Sequence, residues 1–167
     1  MARVLPLEAT IRPAQVDDDD FLISLSARVF RVYAHDAASA MRRMIKSHAS
    51  KKSAIAIAEN GGTRIGFVVV AVEALGRDYG PLVRPSVAHL DAIAVRPNMA
   101  GQGVGHRLLA WAENAARARG AVSMSLLTAE TNVDAQRLFR SAGFQVVATF
   151  DEVYLGGQRA LSMIKSL

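Results

Sequence analysis

Three glycines at alternate positions, Gly101, Gly103 and Gly105, follow an apolar strand that ends at Arg96-Pro97. Proline ends a strand because it lacks an N–H for the ladder and restricts the residue before it. A helical run that closes at Gly120 comes next. This order of strand, glycine loop and helix directs several backbone N–H groups and the positive end of a helix dipole at one place. The stretch therefore predicts an anion site, and in particular a phosphate site.

The spacing of these glycines excludes two familiar nucleotide loops. No Gly-Lys-Ser/Thr ends the run, so it is not the phosphate loop of nucleotide triphosphatases. The pattern is Gly-x-Gly-x-Gly rather than Gly-x-Gly-x-x-Gly, and the strands before it are predicted to form a hairpin, which excludes a dinucleotide fingerprint. Taken alone, the motif is either another kind of phosphate loop or a glycine-rich turn into a helix.

The elements that must position this loop follow from hydrophobic periodicity and turn residues. Asn60-Gly61-Gly62-Thr63 predicts a tight hairpin, because Asn-Gly and Gly-Gly accept positive φ. The predicted order is one strand, two helices, three strands, a helix, a strand, a helix and two strands. No repeat or linker interrupts residues 1–167, which are expected to form a single mixed α/β domain. Strands are predicted near 10–14, 53–59, 64–75, 87–95, 121–128, 144–154 and 160–164, and helices near 17–29, 37–48, 104–119 and 131–142.

Two of the predicted helix starts carry acidic residues. The run Asp17–Asp20 could hold a metal, but carboxylates at this place favour the positive end of a helix dipole. Thr131 and Asp134 have the spacing of a capping box. We therefore expect both sets to begin helices, and we expect no metal site.

Composition excludes several classes of protein. The chain has no cysteine, which excludes a disulfide scaffold, a thiolate nucleophile and cysteine-based zinc sites, and which fits a reducing cytoplasm. No apolar run approaches the ~20 residues of a spanning helix, and the first residues lack a signal-peptide pattern. The net charge of +5 fits either a solvated surface or a field that attracts an anionic ligand. Nucleic acid is not an expected partner, because the basic residues are scattered and few aromatics lie among them.

Two stretches together resemble the GNAT superfamily of N-acetyltransferases. The first is Leu90–Pro97 followed by Gly101–Gly105, where the family has Arg or Gln, two residues, Gly, one residue, and Gly or Ala. The second is Asn132-x-x-Ala-x-x-Leu-Phe-x-x-x-Gly-Phe144. The order of elements extends the resemblance over nearly the whole chain. It implies an α/β (mixed α+β) GNAT-like fold, with a central, mostly antiparallel mixed sheet of about seven strands flanked by about four helices.

The resemblance also implies that acetyl-coenzyme A is the co-substrate. The backbone of Ile93–Val95 would pair with the pantetheine arm like an added strand, and the N–H groups from Gln102 to His106 would hold the pyrophosphate. His106 would either strengthen the field there or be an exposed residue of the first helical turn. Asn132 resembles the family's coenzyme-contacting asparagine and also suits a helix cap. The expected coenzyme-binding residues are Ile93, Ala94, Val95, Gly101, Gln102, Gly103, Val104, Gly105, His106, Asn132 and Phe139.

The sequence departs from the family pattern at two positions. Ala100 stands where Arg or Gln is usual, so one side-chain contact to the coenzyme is lost. Phe139 stands where many members carry a tyrosine proposed to protonate the leaving thiolate. Thiols have a pKa of about 8.5, so coenzyme A can leave as a thiolate with modest help. Tyr154, on a late strand, is a second candidate donor. The alternative to an enzyme is a non-catalytic coenzyme A sensor or interaction module with the same fold.

The implied reaction is direct acetyl transfer to an amine in a ternary complex, so a base must take the proton of the amine. His89 and Asp91 are two residues apart on one strand and are expected on the same face. Glu73 is a third candidate base on the neighbouring strand. Backbone N–H groups near Ala94 and Val95 would hold the oxyanion of the tetrahedral intermediate.

The acceptor amine, a small molecule or a peptide or protein amine, is not identified by any motif. It is expected to contact the first two helices, the loop Gly76–Pro85 and the last hairpin. A membrane is not an expected partner. A homodimer through the C-terminal strands is an expectation from the family alone.

Overall fold

A computed structural model describes residues 8–72 and 86–167. Seven strands in these ranges form one mixed sheet. Their bounds are β1 (Thr10–Pro13), β2 (Ser53–Asn60), β3 (Thr63–Ala71), β4 (Val87–Val95), β5 (Ser123–Ala129), β6 (Gln145–Tyr154) and β7 (Gln158–Ser166). The order across the sheet is β1-β2-β3-β4-β5-β7-β6. The predicted loop Gly76–Pro85 and the candidate base Glu73 lie outside the described residues.

Four α-helices pack on the two faces of the sheet. They are α1 (Asp19–Val29), α2 (Ala37–Ala49), α3 (Val104–Ala118) and α4 (Val133–Ser141). Helices α1 and α2 enclose one apolar cluster with the sheet, around Phe67 and Met41. Helices α3 and α4 enclose the other, around Leu108 and Phe139. The predicted mixed α/β architecture is therefore confirmed. Within the two described ranges, no helix combines the length and the apolar character needed to cross a membrane.

The sheet opens in its middle. Neighbouring strands are antiparallel except β4 and β5, which run parallel and pair only between Val87–Leu90 and Ser123–Leu126. Beyond these residues the strands separate, and Leu127–Ala129 pair with β7 alone. A gap therefore separates the end of β4 from the end of β5.

A β-bulge in β4 begins at the edge of this gap. Leu90 and Ala92 pair with consecutive residues of β3, so Asp91 is the extra residue. Before the bulge, Ala88 and Leu90 belong to the α3 cluster, whereas beyond it Ala92 and Ala94 pack with the α1/α2 cluster. The bulge therefore exchanges the two faces of the strand, which strict alternation does not anticipate.

The acidic run Asp17–Asp20 does more than begin a helix. Asp19 and Asp20 lie in the first turn of α1, as predicted. Asp18, however, is fully buried. Its Oδ2 accepts from Arg12 Nη1 at 2.7 Å, and its Oδ1 accepts from Arg64 Nε at 2.6 Å. The hydrogen bond from Arg12 is the main cause that holds the pKa of this carboxyl well below its usual range. Asp18 is the N-cap residue of α1 and its Oδ2 also accepts from Gln15 N at 2.7 Å, so it lies at a helix start as predicted. Its carboxylate has a further role that the sequence did not predict, because it joins β1 and β3 to this start.

Candidate active site

A cavity of about 200 Å³ occupies the gap between β4 and β5. Residues of β4 and β5 form its middle, and residues from the two opposite faces of the sheet form its ends. On one side lie α1, α2 and the loop between them; on the other lies α4. The lining includes Ser26, Phe30, Tyr33, Ala37, Met41, Met44, Asp91, Ile93, Thr128, Asn132, Phe139 and Tyr154. A molecule in this cavity can therefore contact both faces of the sheet.

The cavity has a free strand edge along one wall. Beyond Leu90, β4 keeps its pairing with β3 but has no pairing with β5 among the described strand pairs. The backbone of Asp91–Val95 thus presents N–H and C=O groups toward the gap. Such an edge accepts an extended chain as an added strand.

The glycine loop lies between β4 and α3, and its glycines have different roles. Gly101 has φ +73° and Gly103 has φ +83°, and a Cβ at either position would meet no atom within 4 Å. Glycine is favoured at these two positions because the backbone is in the left-handed region there. A Cβ on Gly105 would lie 3.1 Å from Leu138 Cδ2. The third glycine therefore allows α3 to pack closely on α4.

The first turn of α3 carries the expected anion-binding groups. Gly103 is the N-cap, so the N–H groups of Val104, Gly105 and His106 have no partner within the helix. The positive end of the helix dipole adds to their field. The His106 side chain lies against α4, with Nε2 2.7 Å from Ser141 Oγ. The imidazole thus has a partner on α4, whereas the N–H groups of this first turn have none within the helix.

His89 and Asp91 lie together beside the cavity. Asp91 lines it, and its side chain keeps 25 % of its surface exposed. Burial raises the pKa of the Asp91 carboxyl, and the charge of His89 lowers it. His89 Nε2 is 4.0 Å from Asp91 Oδ1, while His89 Nδ1 is 2.9 Å from Ser125 Oγ. The pair therefore combines a desolvated carboxylate with a positioned imidazole.

Asn132 caps α4 at the end of the cavity that lies away from α1 and α2. Its Oδ1 accepts from Ala135 N at 3.2 Å, and the residue also lines the cavity. The predicted capping box of Thr131 and Asp134 is wrong. Thr131 precedes the cap, and its hydroxyl hydrogen-bonds to Oε1 of Gln158, the first residue of β7. Asn132 is thus placed both to cap the helix and to contact a ligand.

The aromatic residues Phe139 and Tyr154 differ in whether their side chains can donate a proton. Phe139 is 4 % exposed and packs edge-on against Phe144, with ring centroids 5.9 Å apart. Tyr154 also lines the cavity and packs edge-on against Tyr33 at 6.0 Å. Burial, with a smaller contribution from Tyr33, raises the pKa of the Tyr154 hydroxyl. Tyr154 therefore keeps its proton at neutral pH.

Ser26 and Tyr33 are among the cavity residues that were not predicted as site residues from the sequence. Ser26 lies in the buried face of α1 beside Leu22 and Leu25. The sequence signal that indicates Ser26 is a serine within an otherwise apolar stripe of a helix. Tyr33 follows α1 in a segment without clear periodicity, and only its contact with Tyr154 places it at the cavity.

Comparisons with known proteins agree with this geometry. The family described as "Acetyltransferase (GNAT) family" matches residues 20–144, which is more than half of the chain. No curated protein matches the sequence. Solved structures show the same fold. A GCN5-related N-acetyltransferase from Kribbella flavida is 22% identical with a TM-score of 0.78, covering 98% of this chain and 100% of that one.

Two further structures extend this likeness. One is yncA from Salmonella typhimurium with its cofactor acetyl-CoA, 20% identical with a TM-score of 0.75, covering 96% of this chain and 94% of that one. The other is ribosomal-protein-alanine N-acetyltransferase from Brucella melitensis, 22% identical with a TM-score of 0.76, covering 95% and 99%. At these identities the likeness concerns the fold.

Proposed function

The chain belongs to the GNAT family of acetyltransferases, and we therefore propose that it transfers an acetyl group from acetyl-coenzyme A to an amine. The observation that carries the proposal is the cavity between β4 and β5. It brings a free strand edge and a desolvated carboxylate to one place, and the glycine loop follows from the same strand.

The donor side of the site fits acetyl-coenzyme A. In the proposal, the pantetheine arm pairs with the free edge at Ile93–Val95. The pyrophosphate binds the N–H groups from Gln102 to His106, where the helix dipole favours its charge. Asn132 and Phe139 line the cavity from α4 and contact the coenzyme. The acetyl complex of yncA, which has the same fold, supports this choice of donor.

Asp91 is the proposed general base. Its oxygen takes a proton from the acceptor ammonium, directly or through water, and the amine nitrogen then attacks the thioester carbonyl. The N–H groups near Ala94 and Val95 hold the oxyanion of the tetrahedral intermediate. As that intermediate collapses, the nitrogen releases its remaining extra proton to water, the C–S bond breaks, the new C–N bond remains as a neutral amide, and coenzyme A leaves as a thiolate. His89 acts as a positioning residue that moderates the pKa of Asp91.

Tyr154 is the proposed proton donor to the leaving thiolate. It lines the same cavity as Phe139, which has no proton to give. Its raised pKa keeps the hydroxyl protonated at neutral pH. The proposed acid therefore comes from β6 rather than from α4.

We extend the proposal to the assembly of the protein, with residues 1–167 as one cytoplasmic domain and two copies forming a dimer. Strand β6 is an outer strand of the sheet and exposes large apolar side chains, with Val147 61% and Phe150 50% exposed. An open strand edge of this kind readily pairs with another chain. Sedimentation equilibrium should give twice the mass of one chain, and Phe150→Lys should give the mass of one. A wild-type protein that sediments as a monomer contradicts this part.

Two measurements test the main proposal. Isothermal titration should show acetyl-coenzyme A binding at micromolar enzyme, and a thiol reagent should detect coenzyme A release with at least one amine of a broad panel. Failure to bind acetyl-coenzyme A overturns the proposal. Binding without release on any amine instead supports the sensor alternative, which the buried Phe139 makes the competing function.

A further inference from the structure

A buried hydroxyl in α1 has no partner. Ser26 is 1% exposed and lines the cavity. Its Oγ is the one buried side-chain polar atom in the described residues without a hydrogen bond. A serine inside a helix commonly satisfies its hydroxyl on the carbonyl four residues earlier, and this one does not. Buried polar groups are rarely left unpaired, so a ligand group is the expected partner.

The wall around Ser26 is smooth and apolar. Alanines and methionines of α2, among them Ala37, Ala40, Met41 and Met44, line this side together with Phe30. Methionine adapts to the shape of its neighbours, and alanine leaves room. This side of the cavity therefore fits an apolar body that carries a single polar group.

Charge restricts the ligand further. Asp91 is the one charged side chain among the described residues that line the cavity. One carboxylate balances one ammonium group, whereas further charges on the ligand would be desolvated without partners. The described part of the lining therefore favours an acceptor that carries one amine and no other charge.

Contacts at one side of the cavity join the α1–α2 loop to the end of β6 and the start of β7. Tyr33 and Tyr154 meet edge-on, Leu155 N donates to Tyr33 O at 3.0 Å, and Gln158 Nε2 donates to Val32 O at 3.0 Å. An extended peptide cannot pass between these two segments while the contacts hold. These contacts favour a compact acceptor.

We infer that the acceptor is a small primary monoamine with an apolar body and one neutral oxygen, whose oxygen hydrogen-bonds to Ser26. The inference rests on the proposed function and names the substrate class of the same cavity. Asp91 receives the ammonium end, and Ser26 supplies specificity at the other end. Ser26 is thus a specificity-determining residue without a role in the chemical step.

The test compares matched probes with matched variants. The probes are linear amino alcohols from aminopropanol to aminohexanol, each paired with the alkylamine that lacks the hydroxyl. Spermidine and a short peptide with a free N-terminal alanine represent the other classes. The variants are Ser26→Ala and, as a control on the same helix, Ser24→Ala, whose side chain is exposed. Binding is measured by titration in the presence of coenzyme A, and turnover by coenzyme A release.

We expect wild type to prefer at least one amino alcohol over its alkylamine partner by about fivefold to tenfold, the effect of one neutral hydrogen bond. Ser26→Ala should abolish this preference through KM, with kcat unchanged, while Ser24→Ala keeps it. The melting temperature of Ser26→Ala should stay the same or rise, because no bond within the protein is lost. A melting temperature that falls by several degrees would instead assign Ser26 a structural role.

Three results overturn the inference: equal preference in Ser26→Ala and wild type, tighter binding of spermidine, or tighter binding of the peptide. Failure of the proposed function is a separate outcome. It appears as absent coenzyme A release with every amine, whereas the preference for an amino alcohol is still measurable by titration.

Discussion

His89 Nε2 lies 4.0 Å from Oδ1 of Asp91, the extra residue of the β4 bulge. The bulged Asp91 is desolvated by burial, and the imidazole is held from its other side by Ser125 Oγ at 2.9 Å. The local fold thus places two opposing influences on one carboxyl group. Burial raises the pKa of Asp91, and the charge of His89 lowers it.

Asp91→Asn removes the proposed base while it keeps the size of the side chain. We expect kcat/KM to fall by about a hundredfold or more, because an amide cannot accept the proton of the amine. Acetyl-coenzyme A affinity, measured by titration, should stay unchanged. Asp134→Asn is the control, since that side chain is 96% exposed on α4. Activity of Asp91→Asn within threefold of wild type would remove Asp91 from the mechanism.

His89→Ala should move the acid limb of the kcat/KM profile to higher pH. The base works only when deprotonated, so activity falls as the pH drops through the Asp91 pKa. His89 lowers this pKa, and its removal lets desolvation raise it. The exposed His35 offers the control, His35→Ala, for which the profile should coincide with that of wild type. A limb that stays in place or moves to lower pH contradicts the role given to His89.

Tyr154→Phe removes the proposed acid and keeps the ring. We expect kcat to fall by about tenfold to a hundredfold, with the affinity for acetyl-coenzyme A unchanged. Tyr33→Phe keeps the edge-on ring contact and removes the other tyrosine hydroxyl at the cavity, so its kcat should stay near wild type. If both variants lose activity equally, the hydroxyls act on the shape of the cavity rather than on proton transfer.

Gly103→Ala should weaken acetyl-coenzyme A binding by more than the accompanying loss of folding stability accounts for. Gly103 has φ +83°, and a Cβ there meets nothing, so the substitution strains the backbone by about 1 kcal/mol. Gly62, in the β2–β3 hairpin, has φ +81° and is equally open. Gly62→Ala should therefore lose similar stability in urea unfolding and keep its affinity. Equal affinities in the two variants would argue against a ligand at the loop.

Asp18→Asn should destabilise the fold by about 2–3 kcal/mol, because two arginines lose a buried anionic partner. The pKa of Asp18 is lowered in the folded state, so its contribution is present above the unfolded pKa of about 3.9. It is lost as the pH falls below that value. The melting temperature should therefore drop in acid for wild type, and less steeply for the variant. Asp17→Asn, 71% exposed, is the control and should behave as wild type. A variant as stable as wild type would contradict the role of the buried carboxylate.

Local chemistry made several elements predictable from the sequence. The Asn60–Thr63 hairpin, the bounds of β4 at Val87–Val95 and the change from glycine loop to α3 agree with the structure. Each depends on turn residues, a terminating proline or apolar periodicity within a few residues. The family also followed from motifs in sequence, and the match over residues 20–144 confirms it.

Most of the elements, the glycine loop and the family motifs could be predicted from the sequence, because each depends on residues that are neighbours along the chain. The surroundings of the cavity depend instead on contacts between distant parts of the chain. The bulge that aims Asp91 depends on the register with β3, and the contact of Tyr33 with Tyr154 joins residues 121 positions apart. Burial of Asp18 and the orphaned hydroxyl of Ser26 likewise depend on elements packed from elsewhere in the chain. Strand pairing and the desolvation of a side chain depend on how distant segments pack together, and no local sequence pattern specifies them.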